Sequence, residues 1–329
     1  MNVLITGATG LLGNALAKKL AQRGHRVRAL VRDPARAGRV LPAELELVAG
    51  DVTEPQRAGG LAAALRNIDW VFHCAGMPEQ WRRDESIFDR LNRGGTANMV
   101  AASLDAGVKR FVHTSTMDVF EAPRGGTLVE TRLDPRPKHS AYERSKQAAE
   151  REVEAARAKG LDAVYVNPAA VYGPCPRPLA LNGFFIQLLR GKMPMLPPGG
   201  MSVVFVEGVA DAHIAAAERG RAGERYLVAD AHVSMRQLAA EIGRQAGLAR
   251  LPPQAPEALL RVIAAVSAPL ARAFGFRPLV APGELGFMLW DARVDSHKAQ
   301  RELGFVPLPL AEGVARTLAF LRERGLVPR

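Results

Sequence analysis

Cysteine is almost missing from this chain: Cys74 and Cys175 are the two in 329 residues. They stand in unrelated contexts with no metal-ligand spacing, which excludes a disulfide framework, implies no metal, and fits a reducing compartment. Long apolar runs are lacking too. The longest, Leu259 to Phe274, is interrupted by Arg261, Pro269 and Arg272, so no membrane span is expected. Met1 lies two residues before the first predicted strand, which leaves no room for a leader and makes a cytoplasmic location the expectation. Acidic residues are the scarcer charge, 33 against 44 Lys and Arg, for a net charge of +11. The basic excess is spread along the chain and alternates with acids, as in Glu150-Arg151-Glu152, so it reads as a solvated surface and no nucleic-acid partner is expected. What remains, 48% hydrophobic and 23% charged, is a folded chain large enough for one α/β unit with a smaller appended lobe.

The first thirteen residues organise that unit. Val3, Leu4 and Ile5 read as a strand buried on both faces, and Thr6 to Gly13 turns directly into the helical pattern of Leu12, Leu16 and Leu20. Strand, glycine turn and helix together make a phosphate site. Gly7 allows the tight turn, Gly10 lets the backbone approach a pyrophosphate, and Gly13 lets the helix lie close on the strand. The helix start at Leu11 and Leu12 then faces the phosphates. Thr-Gly-x-x-Gly-x-x-Gly at this place resembles the short-chain dehydrogenase/reductase superfamily, in its extended branch of NAD-dependent epimerases and dehydratases. That resemblance implies a doubly wound parallel α/β sheet of the Rossmann type, with a nicotinamide dinucleotide as cofactor.

Arg26 to Val31 reads as the second strand, and its tip selects the cofactor. A carboxylate there accepts from the free adenosine ribose, whereas a 2′-phosphate needs a cation. Here Val31 is followed by Arg32, with Arg36 and Arg39 beyond, a pattern similar to the NADP-preferring members related to dihydroflavonol reductases. NADP is the expectation. Asp33 keeps NAD possible, because it could turn back onto the ribose. Leu45 to Val48 is a third strand, ending in Gly50-Asp51-Val52, where the family binds the adenine edge and where an Asx turn is the alternative. Val71 to Cys74 is a fourth, and its small-residue end, Ala75-Gly76, leaves room for the cofactor backbone. His73 reads as a core histidine. In the helix predicted over Phe88 to Ala102, the resemblance makes Asn92 a brace for the active site.

The strand Phe111 to His113 delivers Thr114-Ser115-Thr116 to its C-terminal end, with hydroxyls expected to face the cofactor. Matched on Val119-Phe120, the family's catalytic hydroxyl falls on Thr116, with Ser115 one residue before it. Tyr142-Glu143-Arg144-Ser145-Lys146 then opens a helix predicted over Tyr142 to Lys159, which sets Tyr142 and Lys146 four apart on one face. An ammonium about 4 Å from the phenol, at an effective dielectric near 20, would be worth roughly 4 kcal/mol and lower the Tyr from about 10 toward 7. The expected result is a general acid-base. Farther on, Asn167-Pro168-Ala169-Ala170-Val171-Tyr172-Gly173-Pro174 is close to the family's Arg-Pro-x-x-Val-Tyr-Gly-Pro, whose backbone holds the nicotinamide amide at Pro168 and Val171; Asn167 departs from it.

These boundaries predict a dinucleotide-binding domain over 1–174 and a substrate lobe over 175–329 with segments returning to the first. Nucleotide-sugar enzymes of the family grip the diphosphate with an arginine at the position of Met201. Its absence, the single acid in Met117-Asp118 where dehydratases carry a pair, and the apolar lobe (Leu179, Leu181, Phe184, Phe185, Leu196, Leu259, Leu260, Val262 and Leu270 among others) favour a small apolar substrate, as in dihydroflavonol reductase-like and 3β-hydroxysteroid dehydrogenase-like members. The expected activity is an NADP-dependent carbonyl–alcohol interconversion. Alternatives are a nucleotide-sugar epimerase and a non-catalytic NAD(P)-sensing protein. A homodimer through the helices of Asn92 and Tyr142 is a further family expectation.

Overall fold

The computed structural model describes residues 1–54, 60–176 and 181–328. Its first strand, β1 (Asn2–Thr6), sends Val3 and Ile5 into one hydrophobic cluster and Leu4 into another, which is why a short apolar run without alternation forms a strand covered on both faces. β2 (Arg26–Val31), β3 (Glu46–Ala49), β4 (Trp70–His73) and β5 (Arg110–Thr114) follow, each after a helical or turn connection. The two-residue β6 (Thr127–Leu128) lies outside the sheet, and β7 (Ala163–Pro168) returns to it. Beyond β7, the strands β8 (Ala170–Tyr172), β9 (Gly200–Phe205) and β11 (Ala231–Ser234) make a second sheet, while β10 (Arg225–Val228) rejoins the first and β12 (Arg293–Val294) pairs with β6.

The large sheet is parallel throughout, in the order β10-β7-β5-β4-β1-β2-β3. Its winding direction reverses between β1 and β4, and ligands of such sheets collect outside the strand ends at that point. The register pairs Thr6 with His73, His73 with His113 and Thr114 with Val166, so the C-terminal ends of β1, β4, β5 and β7 emerge on one edge. The predicted strands are all present, within one or two residues at each end.

One predicted helix is not continuous. Between the short Ser86–Phe88 turn and the α-helix Gly95–Asp105 lies a π-helical segment, Asp89–Gly94, whose wider turn resets the direction in which Asn92 points. The helix predicted from Tyr142 runs over Ala141–Arg157. It starts where it does because Ser140 and Glu143 form a reciprocal capping box. In the lobe, Leu181, Phe185, Leu196 and Met201 are buried with Leu238, Ile242 and Leu318; Leu179 lies outside the described residues.

Two glycines of the first turn are required sterically. Gly7 has φ 72°, and a Cβ on Gly13 would stand 2.2 Å from the Gly7 carbonyl oxygen. We expect Gly13→Ala to lower stability by about 1–3 kcal/mol or more, since backbone has to move. Gly286→Ala, on an exposed helical position whose Cβ would meet nothing within 4 Å, should raise it by about 0.5–1 kcal/mol. Denaturant unfolding of the two variants checks the opposite signs, and equal shifts would refute the steric account.

Candidate active site

The helix Leu11–Gln22 begins at Gly10, which caps it without a side-chain bond, so the first-turn amides of Leu11, Leu12 and Gly13 have no acceptor inside the helix. A Cβ on Gly10 would meet only the Gly7 carbonyl, at 3.2 Å, and the turn therefore presents bare backbone to an anion. Thr6 takes no part in that surface. It is fully buried, its Oγ1 accepting from Ala75 N at 3.1 Å and lying 2.8 Å from His73 Nδ1, so it locks the turn against the end of β4. Ala75 is partly buried and Gly76 exposed, with Asn92 Oδ1 3.2 Å from where a Gly76 Cβ would be.

At the tip of β2, Arg32, Arg36 and Arg39 are exposed, and no hydrogen bond or ion pair engages their side chains among the described residues. Asp33 is occupied: its carboxylate accepts from Arg36 N at 3.0 Å and caps the short helix Pro34–Ala37. Asp51 makes the Asx turn, its Oδ1 accepting from both Thr53 N and Thr53 Oγ1 at 2.9 Å. Val52 is buried, and its carbonyl accepts from Asn98 Nδ2.

The hydroxyls after β5 do not act together. Alternation along a strand sends neighbours to opposite faces, and Thr114 Oγ1 lies 2.8 Å from His213 Nε2 and 3.2 Å from Cys74 Sγ, while Ser115 donates to Glu150 Oε1 on the other side. Both hydroxyls are engaged by protein groups, Thr114 half-buried and Ser115 buried. Thr116, past the strand end, donates to Asp118 Oδ2 at 2.9 Å and accepts from Asp118 N at 3.3 Å, with its hydroxyl beside the Tyr142 phenol.

Tyr142 and Lys146 are both buried on one face of their helix, as the spacing predicts. The electrostatics reverse the expected direction. Lys146 reaches the Thr114 carbonyl, at 2.7 Å, and burial pushes its ammonium down to about 8. Burial and the Asp118 and Glu143 carboxylates raise the Tyr142 phenol above its ordinary value, with the nearby Thr116 hydroxyl the single opposing influence. Tyr142 is thus held protonated at neutral pH. Asp118, whose Oδ1 is buried without a partner, is pushed up to about 7, first by burial and then by Glu143.

Asn92 braces this helix from the π segment. Its Oδ1 accepts from Met77 N at 2.7 Å and its Nδ2 donates to Ser145 Oγ at 2.8 Å, while Ser145 Oγ donates to the Tyr142 carbonyl at 2.6 Å. At the end of β7, Pro168 is buried and Val171 half-buried in β8.

A cleft of about 1510 Å³ opens at the first turn of the Tyr142 helix; Tyr142, Thr116 and Lys146 are buried behind its lining and do not form part of it. Ser140, Ala141 and Glu143 line it, as does Phe88, whose ring stands edge-on to Tyr142 with centroids 6.4 Å apart. Its apolar far wall is Leu285, Phe287, Leu289 and Trp290 of the helix Pro282–Trp290. Of the lobe's other apolar residues, Leu181, Phe185, Leu196 and Leu260 are core, and Leu259, Val262 and Leu270 face solvent. The apolar spacing of Leu285, Leu289 and Trp290 was the available signal for the wall, but nothing local aims it at Tyr142.

The family model for the NAD dependent epimerase/dehydratase family matches residues 3–229. The chain is 31% identical to sterol demethylase protein B of Methylococcus capsulatus over 332 residues, covering 99% of this chain and 100% of that one. It is 28% identical to a putative dihydroflavonol 4-reductase of Synechocystis over 330 residues, covering 98% and 95%. Among solved structures, that of gox2253 superposes with a TM-score of 0.80 at 31% identity, covering 99% of each chain.

Asp118 gives the site a measurable pH signature. With its carboxyl raised from 3.8 to about 7, the native protein keeps a proton between about pH 4 and 7 that the unfolded chain has released, so this group lowers stability as pH rises through that window. Asp118→Asn removes the dependence. The variant's stability relative to wild type should grow by a few kcal/mol from pH 4 to pH 7, at about 1.4 kcal/mol per unit of displaced pKa, and then level off. Unfolding curves across that range test this, and a constant difference would contradict it.

Proposed function

The chain belongs to the NAD dependent epimerase/dehydratase family, and on that premise we propose that it is an NADP-dependent oxidoreductase interconverting a carbonyl and an alcohol on a small, largely apolar substrate. The observation that carries the reading is the placement of Tyr142, Thr116 and Lys146 at one buried point, one side chain behind a cleft that Phe88, Leu285, Leu289 and Trp290 line. The names of the two relatives point the same way, one to a sterol and the other to a dihydroflavonol. Met201, where nucleotide-sugar enzymes carry their arginine, is buried in an apolar cluster, which counts against an epimerase. Retention of both Tyr142 and Lys146 counts against a purely sensing role.

The first-turn amides of Leu11, Leu12 and Gly13 would hold the pyrophosphate, Lys146 the nicotinamide ribose, and the backbone of Pro168 to Val171 the nicotinamide amide. When bound, the nicotinamide supplies hydride to the carbonyl carbon, or accepts it from the alcohol. In the reducing direction Tyr142 gives its phenolic proton to the substrate oxygen, and Thr116 orients the phenol. Burial keeps the phenol protonated but also makes it the weaker acid, so the transfer depends on a cation beside it, the place of Lys146, and on Asp118 holding the Thr116 hydroxyl.

Arg32, exposed and unengaged beside an Asp33 already committed as a helix cap, supports the 2′-phosphate assignment. NADPH should bind more tightly than NADH, and Arg32→Ala should weaken NADPH about tenfold or more while sparing NADH, as expected for the loss of a charge-assisted bond. Fluorescence titration of both cofactors decides it; equal affinities in the wild type would overturn the preference.

Turnover itself is tested by following nicotinamide absorbance against a panel of hydrophobic ketones and aldehydes, with nucleotide sugars alongside. On any substrate found, Tyr142→Phe should lose about 10² to 10⁴ in kcat with cofactor affinity unchanged. A variant that keeps most of its turnover would remove Tyr142 from the mechanism, and tight binding of a nucleotide sugar with epimerised product would install the epimerase instead.

A further inference from the structure

The large apolar side chains left in solvent are concentrated in one place. Leu259, Val262, Val266, Leu270 and Phe274 are exposed along the helix Glu257–Phe274, and Phe276 and Leu279 extend the surface past its glycine C-cap. Val262 is 61% exposed, Val266 57% and Phe274 76%. Their spacing of three and four residues puts them on one stripe. The inward face of the same helix is a different set, Leu260, Ala264, Ser267, Ala268 and Ala271. The helix is therefore apolar on two sides, and its own fold uses one of them.

Charge narrows the choice of partner. The outward-facing arc holds two charged residues, Arg261 and Arg272, three helical turns apart along one edge, and no acid. Each is ion-paired with a glutamate, Glu257 and Glu85 respectively, as is Arg277 just past the helix with Glu284. An apolar stripe edged by arginine is the distribution of a helix lying in a lipid–water interface, where the stripe enters the acyl region and the guanidinium groups stay at the level of anionic headgroups. No helix among the described residues is long and apolar enough to cross a membrane. A second copy of the chain fits less well. Eighteen residues span roughly 27 Å, and a stripe about 10 Å wide on them offers a few hundred Å², well short of the about 800 Å² per partner of a stable dimer.

The geometry points to the helix Glu257–Phe274 as a docking surface for an anionic phospholipid bilayer, lying on the membrane and not through it. Arg261, Ala264, Ala265 and Arg272 of this helix also line the cleft at the first turn of the Tyr142 helix, so a docked molecule would hold the cleft against the lipid surface. The inference stands on the surface alone and survives a different substrate assignment.

Sedimentation of the full chain with extruded vesicles tests it, using phosphatidylcholine alone and phosphatidylcholine with phosphatidylglycerol at about three to one. The wild type should bind the anionic vesicles more tightly, and added salt should weaken that binding. Val262→Asp with Val266→Asp should weaken it about tenfold or more, with Phe274→Ser as a milder second variant. Val306→Asp, at an exposed apolar position elsewhere, should leave it unchanged; thermal melting and cofactor titration confirm that each variant is folded. Failure of the wild type to bind either vesicle, equal binding to both, or an equal loss in Val306→Asp would overturn the proposal. So would a wild-type dimer in light scattering that the double variant dissolves, since that would assign the stripe to a second copy.

Discussion

A single buried chain of hydrogen bonds joins the glycine turn to the catalytic helix. Ala75 N donates to Thr6 Oγ1, Thr6 Oγ1 is 2.8 Å from His73 Nδ1, His73 Nε2 is 3.0 Å from Thr96 Oγ1, and Thr96 Oγ1 donates to the Asn92 carbonyl at 2.6 Å. Asn92 then carries the chain through Ser145 to the Tyr142 backbone. The donors fix its direction. Thr96 has spent its proton on Asn92, so His73 must carry hydrogen on Nε2 and accept from Thr6 on Nδ1. Burial holds that imidazole neutral by pushing it down to about 3. In so dry a setting every group must be satisfied, and one misplaced member would cost the rest. The glycine turn and the Tyr142 helix, to which the proposal gives the phosphates and the proton transfer, are therefore held in a common frame.

How legible was this in the sequence? β2 could be placed to the residue because Gly24 and Asp33-Pro34 bracket the short segment Arg26–Val31, which ends in Ala29, Leu30 and Val31. The π segment could not, because an extra residue in a helical turn leaves no mark on composition; yet that turn is what aims Asn92 at Met77 and Thr96 at His73. Of the three hydroxyls at the end of β5, the motif match on Val119-Phe120 singles out Thr116, and strand alternation sends Thr114 to His213 and Ser115 to Glu150 on opposite faces. Thr6 sits beside the phosphate turn in sequence but behind it in space.

The sign of the Tyr142 shift shows the limit of spacing arguments. Four residues of helix do bring Lys146 to the same face, but the distance of one charge says nothing about desolvation or about carboxylates from other segments. Asp118 arrives from the turn after β5 and Glu143 from the first turn of the catalytic helix, and both oppose ionisation of the phenol. Lys146 meanwhile pays its own desolvation beside Thr114. Burial, which no local pattern encodes, outweighs the pairwise term.

The departure at Asn167 has a compensation two strands of reasoning away. Where the family motif carries an arginine, Asn167 donates from Nδ2 to Glu150 Oε1 and to the Thr116 carbonyl. The guanidinium comes instead from Arg225 on the neighbouring β10, whose Nε donates to Glu150 Oε2 at 2.7 Å and whose plane lies 4.3 Å over the Tyr165 ring. Glu150 belongs to the catalytic helix and is almost wholly buried, so removing Arg225 would strand a charge. The same carboxylate takes the Ser115 hydroxyl. A strand that enters the sheet more than fifty residues after Asn167 thus completes the electrostatics behind Thr116, which ties the placement of that hydroxyl to the C-terminal half of the chain.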